Sequence, residues 1–178
     1  MKPMTRGLLV LALAVTGCAH DQYSHFTSGQ QGPPALEYGV SILVGLAPDA
    51  RDEDVEYIDS GWRTTDAIII ALASYTDAAG AAEAPATREA YEEQAREAGQ
   101  QYVIFPEILV WKNRNTRRYG IPDLLEVRLT LTDAGTGEVL DTTTIMGSSR
   151  TTISWNDQPQ DMLPVPLEKY ASRIFEGS

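Results

Sequence analysis

The chain has 178 residues, a formal net charge of −11 and a sequence pI near 4.5. That length suits one domain with enough chain to bury a core. A surface this acidic repels nucleic-acid phosphates, which argues against DNA or RNA as a partner.

The first predicted element is a leader. Lys2 and Arg6 precede an apolar run from Gly7 to Val15, and small residues follow it, which is the layout of a secretory signal peptide over residues 1–17. The run is shorter than the roughly 20 residues a membrane-spanning helix needs. The only cysteine, Cys18, stands directly after Val15-Thr16-Gly17, and a lone cysteine forms no internal disulfide. These four residues resemble the bacterial lipobox, an aliphatic residue and two small ones before cysteine. The resemblance implies cleavage before Cys18, a diacylglycerol on its thiol and an acyl chain such as palmitate on its new amine. Ala19, where inner-membrane lipoproteins tend to carry aspartate, implies an outer-membrane anchor facing the periplasm. Several acyl chains, at about 0.8 kcal/mol per buried CH2, hold a protein effectively permanently. The plainer alternative is an ordinary secretory signal with an incidental cysteine. Lys2 and Arg6 are the only charged residues before Cys18, so the 161 residues that remain carry 12 basic against 25 acidic side chains.

Residues 18–36 mix Gly, Ser, Gln and a Pro pair without apolar periodicity and include both histidines, His20 and His25. They read as a lipidated flexible tether spanning about 20–25 Å, followed by one α/β domain over 37–178. Val40 to Leu46 reads as an interior strand. An acidic connection follows, with a short strand near Val55–Ile58. Thr64 or Thr65 caps a well-buried helix through Ile68, Ile69, Ile70 and Leu72. Ala78 to Ala86 leaves room for a short strand. Thr87 caps a second, outer helix that ends at Gly99, with Glu92 and Arg96 paired at i,i+4. Residues 101–112 form a long strand in which Pro106 predicts a bulge or an edge. Leu125, Val127, Leu129 and Leu131 alternate with polar residues as a half-buried strand does. Asp133 to Gly137 turns the chain into a returning strand, and a last helix runs from about Leu167 to Phe175. The expected fold is a mixed sheet of about five strands in the order β-α-(β)-α-β-β-β-α, with helices packed on it. Its core is expected from Ile42, Val44, Ile68, Leu72, Val103, Phe105, Val127, Leu129 and Ile145.

Several words in this order carry a resemblance. Gly61 to Thr65, Tyr102 to Pro106 leading to Trp111, Gly120 to Asp123, Asp133-Ala134 with Thr136-Gly137, Val139 to Asp141, and Pro159 to Pro164 leading to Tyr170 resemble a family of bacterial lipoproteins, domain-of-unknown-function family 4823. The chain departs from it in the acidic segment Asp49–Asp59 and at Arg117-Arg118. The resemblance implies compartment and architecture, and no activity. More loosely, the element order is similar to the amino-terminal domain of the Tol-system periplasmic protein and to curli-secretion lipoproteins, which are interaction domains.

Candidate sites follow from what is present and what is missing. Beyond residue 36 the sequence has no histidine and no cysteine, which removes Ser–His and Cys–His nucleophiles and His- or Cys-ligated zinc. Catalysis would fall to carboxylates. Asp52, Asp54, Glu56 and Asp59 lack the glycine and terminal glutamate of a calcium loop and read as a solvated acidic loop, so no metal is expected. No cofactor is expected beyond the covalent lipid on Cys18. Lys112, Arg114, Arg117 and Arg118 fall within seven positions, flanked by Trp111 and Tyr119. They read either as a contact patch for an acidic protein, lipid head groups or cell-wall carboxylates, or as a solvated loop that offsets nearby acids. Trp62, Trp155 and Asp161 border a recognition groove on one reading; on the other, the tryptophans cover the core and Asp161 caps a turn. The function expected is that of a non-enzymatic outer-membrane lipoprotein whose periplasmic domain binds another envelope component, protein or cell wall. The alternatives are a carboxylate-dependent envelope enzyme and a subunit of an oligomeric secretion or pore assembly. The residues 138–150 are too polar on both faces for a membrane-spanning strand, which weighs against the pore.

Overall fold

The computed structural model describes residues 22–27, 35–114, 121–149 and 158–177. Its elements run β1 (Gln22–Thr27), β2 (Ile42–Val44), β3 (Ala50–Asp52), β4 (Val55–Tyr57), α1 (Ser60–Leu72), β5 (Ala79–Ala81), α2 (Arg88–Glu97), β6 (Tyr102–Lys112), β7 (Leu124–Asp133), β8 (Val139–Ser148), a 3-10 turn (Pro159–Met162) and α3 (Pro164–Glu176). Among the described residues, six strands form a mixed sheet in the order β1-β8-β7-β6-β2-β5, and β3 and β4 make a separate hairpin. β2 is parallel to β5 and β6, while β6, β7, β8 and β1 are successively antiparallel.

Strand alternation sorts the apolar residues onto two faces. Ile42, Val44, Ile104, Leu125, Val127, Leu129, Leu131 and Ile145 face α1 and α3 in the larger core. Leu43, Val103 and the half-buried Phe105 face α2, with Tyr91 and Ala95. The expected core residues all lie in these two clusters. α2 offers the sheet little apolar surface, and Tyr91 compensates. Its hydroxyl meets the backbone of Leu46, Ala84 and Ala86 at 2.9–3.1 Å, and its ring occupies the space where a Cβ on Gly45 would stand.

The structure corrects four local expectations. Residues 22–27, read as tether, form β1 on the open edge of β8, so His25 lies in the sheet rather than before it. α1 begins at Ser60, four residues before the expected caps. Its first turn is satisfied from outside the helix: Asp49 Oδ1 accepts from Gly61 N–H (2.9 Å) and Asp49 Oδ2 from Asp59 N–H (3.0 Å). Thr64 and Thr65 are instead buried inside the helix, donating to Ser60 O and Gly45 O. A Cβ on Gly61 would fall 2.0 Å from Ala47 O, so only glycine permits this approach. On α2, Thr87 caps as expected, but Arg96 pairs with Glu93, and Glu92 with Arg88. α3 starts at Pro164, three residues early, because proline suits a first helical turn.

Pro106 pairs with Leu129 of β7 on one side. On the other side β2 has already ended opposite Ile104, so the missing N–H costs no ladder bond. The register shifts between Ile108 and Val110.

Candidate functional site

β6 ends at Lys112 and β7 begins at Leu124, so the basic connection leaves and re-enters the sheet at one end. Lys112 Nζ lies 3.1 Å from Asp52 Oδ1 of the β3–β4 hairpin, offsetting an acid of its own chain. The Arg114 N–H donates to Oδ1 of buried Asp123 (2.5 Å), and the Asp123 N–H donates to Ser149 Oγ (2.8 Å), which ties this end together. Cys18, Arg117, Arg118 and Trp155 lie outside the described residues. Trp111 is not an exposed flank of the patch. It is 5% accessible and belongs to the larger core, because the irregularity at Leu109 reverses the alternation and turns the indole inward. Asp161 accepts from the Gln158 N–H (2.8 Å) and closes the cap of the 3-10 turn. Trp62 stands 53% exposed on the first turn of α1. The acids Asp52, Asp54, Glu56 and Asp59 do not converge, and among the described residues no three metal-ligating side chains gather. No helix among them is long and apolar enough to cross a membrane.

Sequence reasoning missed a groove. Three consecutive isoleucines on a helix point about 100° apart, so they cannot all enter one core. Ile68 is buried, Ile69 half-buried and Ile70 66% exposed, which overturns the expectation of a well-buried α1. Ile70 lines a groove of about 340 Å³ between α1 and α3 with Ala67, Ala71, Tyr75 and Pro164. Tyr38 extends the apolar surface, its ring 5.7 Å from that of Tyr75. The signal was in the sequence, as the run of isoleucines exceeds what one helix face can bury.

A largely buried ion pair serves the fold. Arg173 of α3 forks onto Asp141 of β8, with contacts of 3.2 and 2.7 Å, and also donates to Thr143 Oγ1. Thr143 Oγ1 donates in turn to Asp141 Oδ2 (2.7 Å). This bidentate pair locks α3 onto the sheet. Burial pushes the nearby Tyr170 phenol well above its ordinary range; Asp141 adds to the shift and Arg173 opposes it.

PelC from Paraburkholderia phytofirmans, solved as a dodecamer, is similar to this chain with a TM-score of 0.65 and 15% identity over 88% of this chain and 99% of PelC. A structure from Xanthomonas campestris is similar at a TM-score of 0.51 and 10% identity, over 78% and 84% of the two chains. A hypothetical protein from Chlamydia trachomatis is similar at 0.50 and 14%, over 78% and 97%. At such identities the likeness is one of fold. No curated protein matches the chain. Residues 35–174 match the family described as domain of unknown function DUF4823, and the chain belongs to that family.

Proposed function

We propose that this protein is an outer-membrane lipoprotein, anchored through lipid on Cys18, whose periplasmic domain is a binding module for another envelope component rather than an enzyme. The observation that carries the binding reading is the α1–α3 groove, where Ile70 is 66% exposed beside small and aromatic residues. Apolar surface held open between two packed helices suits a partner's apolar side chains. The non-catalytic reading rests on the sequence: after His25 there is no histidine or cysteine to activate or act as a nucleophile. The basic connection and Trp155 remain proposed contacts, and Trp111 drops out of that set because it is buried. A second reading, a subunit of an oligomer, is favoured by the likeness to PelC, whose structure is a dodecamer.

A photo-crosslinking residue at position 70, compared in cells with one at Gln94 on the exposed side of α2, tests both. The binding module predicts discrete heterologous adducts at 70 only, and the oligomer predicts a ladder of self-adducts. Equal adduct patterns at 70 and 94 would remove the groove as a contact surface.

A further inference from the structure

We infer that the end of the sheet formed by the start of β1, the end of β8, the start of β7 and the end of β6 rests on the bilayer that carries the anchor, and that its partner is the lipid head-group surface. This rests on the anchored reading of Cys18 and adds an orientation to it.

The inference comes from register. Gln22 pairs with Ser148, Ser148 with Leu124, and Leu124 with Lys112. One row of residues therefore crosses four strands, about 15 Å at the usual spacing between neighbours. β1 enters the sheet at Gln22, and only Ala19, His20 and Asp21 separate it from Cys18. Even fully extended, that chain reaches about 14 Å. A bilayer holding Cys18 must then pass within that distance of Gln22. The tether of about 18 residues expected from composition would have allowed any orientation.

The surface at this end carries exposed apolar side chains. Ile121 is 44% exposed just before β7, and Val55, paired with Asp52 beside Lys112, is 53% exposed. On the face of the sheet away from α1 and α3, a groove of about 250 Å³ lined by Val110, Leu124, Met146 and Ser148 includes two members of the same row. Lys112 closes β6 at this end, and Arg114 follows it two residues on. Lys112 offsets one acid of the β3–β4 hairpin, Asp52. A protein this acidic is repelled by anionic head groups, and Lys112 and Arg114 lessen that repulsion at this end.

The test uses the chain from Cys18 onward, which retains every described residue, coupled through the Cys18 thiol to a maleimide-bearing phosphatidylethanolamine. The anchor then sits at the same atom whether or not cells lipidate it. An environment-sensitive fluorophore on a non-natural side chain is placed at position 121, or at position 136 in the turn between β7 and β8 at the opposite end. The vesicles contain phosphatidylethanolamine, a minority of phosphatidylglycerol and a spin-labelled lipid as quencher. The fluorophore at 121 should lose most of its emission and that at 136 almost none. Inserting a long Gly/Ser linker after His20 should abolish the difference. Equal quenching at both positions, or quenching at neither, would overturn the orientation. Failure of the natural chain to incorporate palmitate in cells, read separately, would instead overturn the lipoprotein reading.

Discussion

Tyr170 is buried in α3, and its hydroxyl meets no hydrogen-bond partner among the described residues. The Arg173 guanidinium carbon lies 5.7 Å from its ring centroid, a contact that phenylalanine would keep. A buried hydroxyl without a partner costs about 1–3 kcal/mol. Tyr170→Phe should therefore leave stability unchanged or raise it by about 1 kcal/mol, measured by urea unfolding at neutral pH. The pH dependence has a defined sign. The native phenol is held above its ordinary range by burial, whereas in the unfolded chain it titrates near 10. Below about pH 10 both states keep the proton and this group adds no slope. Above it the unfolded state ionises first, so stability falls as pH rises. The variant should lose that part of the alkaline decline, and a marked loss of stability at neutral pH would show that the hydroxyl has a role in the fold.

Elements with local signals were legible in the sequence. Thr87 and Gly99 bound α2, the alternation from Leu125 to Leu131 marks β7, and Asp133 accepts from the Thr136 N–H (2.8 Å) in the turn that follows. What escaped depends on distant partners. The start of α1 is fixed by Asp49, 12 residues before the Gly61 N–H it accepts, which no inspection of the helix itself discloses. Trp111 points inward only because the ladder is irregular two residues earlier. The α1–α3 groove needs the packing of two helices far apart in sequence. β1 is the largest miss: Gln22–Thr27 has no apolar face to announce it, and its stabilisation comes from the open edge of β8. That edge is a row of unpaired backbone groups, which proteins ordinarily cover. In a Cys18→Ser background, deleting residues 19–27 should lower the melting temperature. Hydrogen exchange should also accelerate in peptides covering Thr143–Ser148, the stretch that β1 pairs. Unchanged exchange there would mean that β1 does not seal the edge.

At the scale of the whole molecule, two apolar clusters lie on opposite faces of one sheet, and the sheet makes them a single unit. Val103 and Ile104 are neighbours in β6, yet the first packs with Tyr91 under α2 and the second with the larger core under α1 and α3. Leu43 and Val44 divide in the same way on β2. Neither face can lose its packing without releasing strands that the other needs. Leu129 is the sharpest place to test this. It is fully buried in β7, opposite Pro106 of β6 and Thr143 of β8, and far from α2. Leu129→Ala removes buried methyl groups and leaves a cavity, at a cost of about 2–5 kcal/mol. For a domain of this size that lowers the melting temperature by roughly 5–15 °C. If the sheet couples the two faces, calorimetry of the variant should still show one transition, with calorimetric and van't Hoff enthalpies equal, moved as a whole to the lower temperature. A second transition left at the original temperature would show that the α2 face unfolds on its own. A change within measurement error would mean that Leu129 does not hold the core, and that the assignment of faces along β7 is inverted.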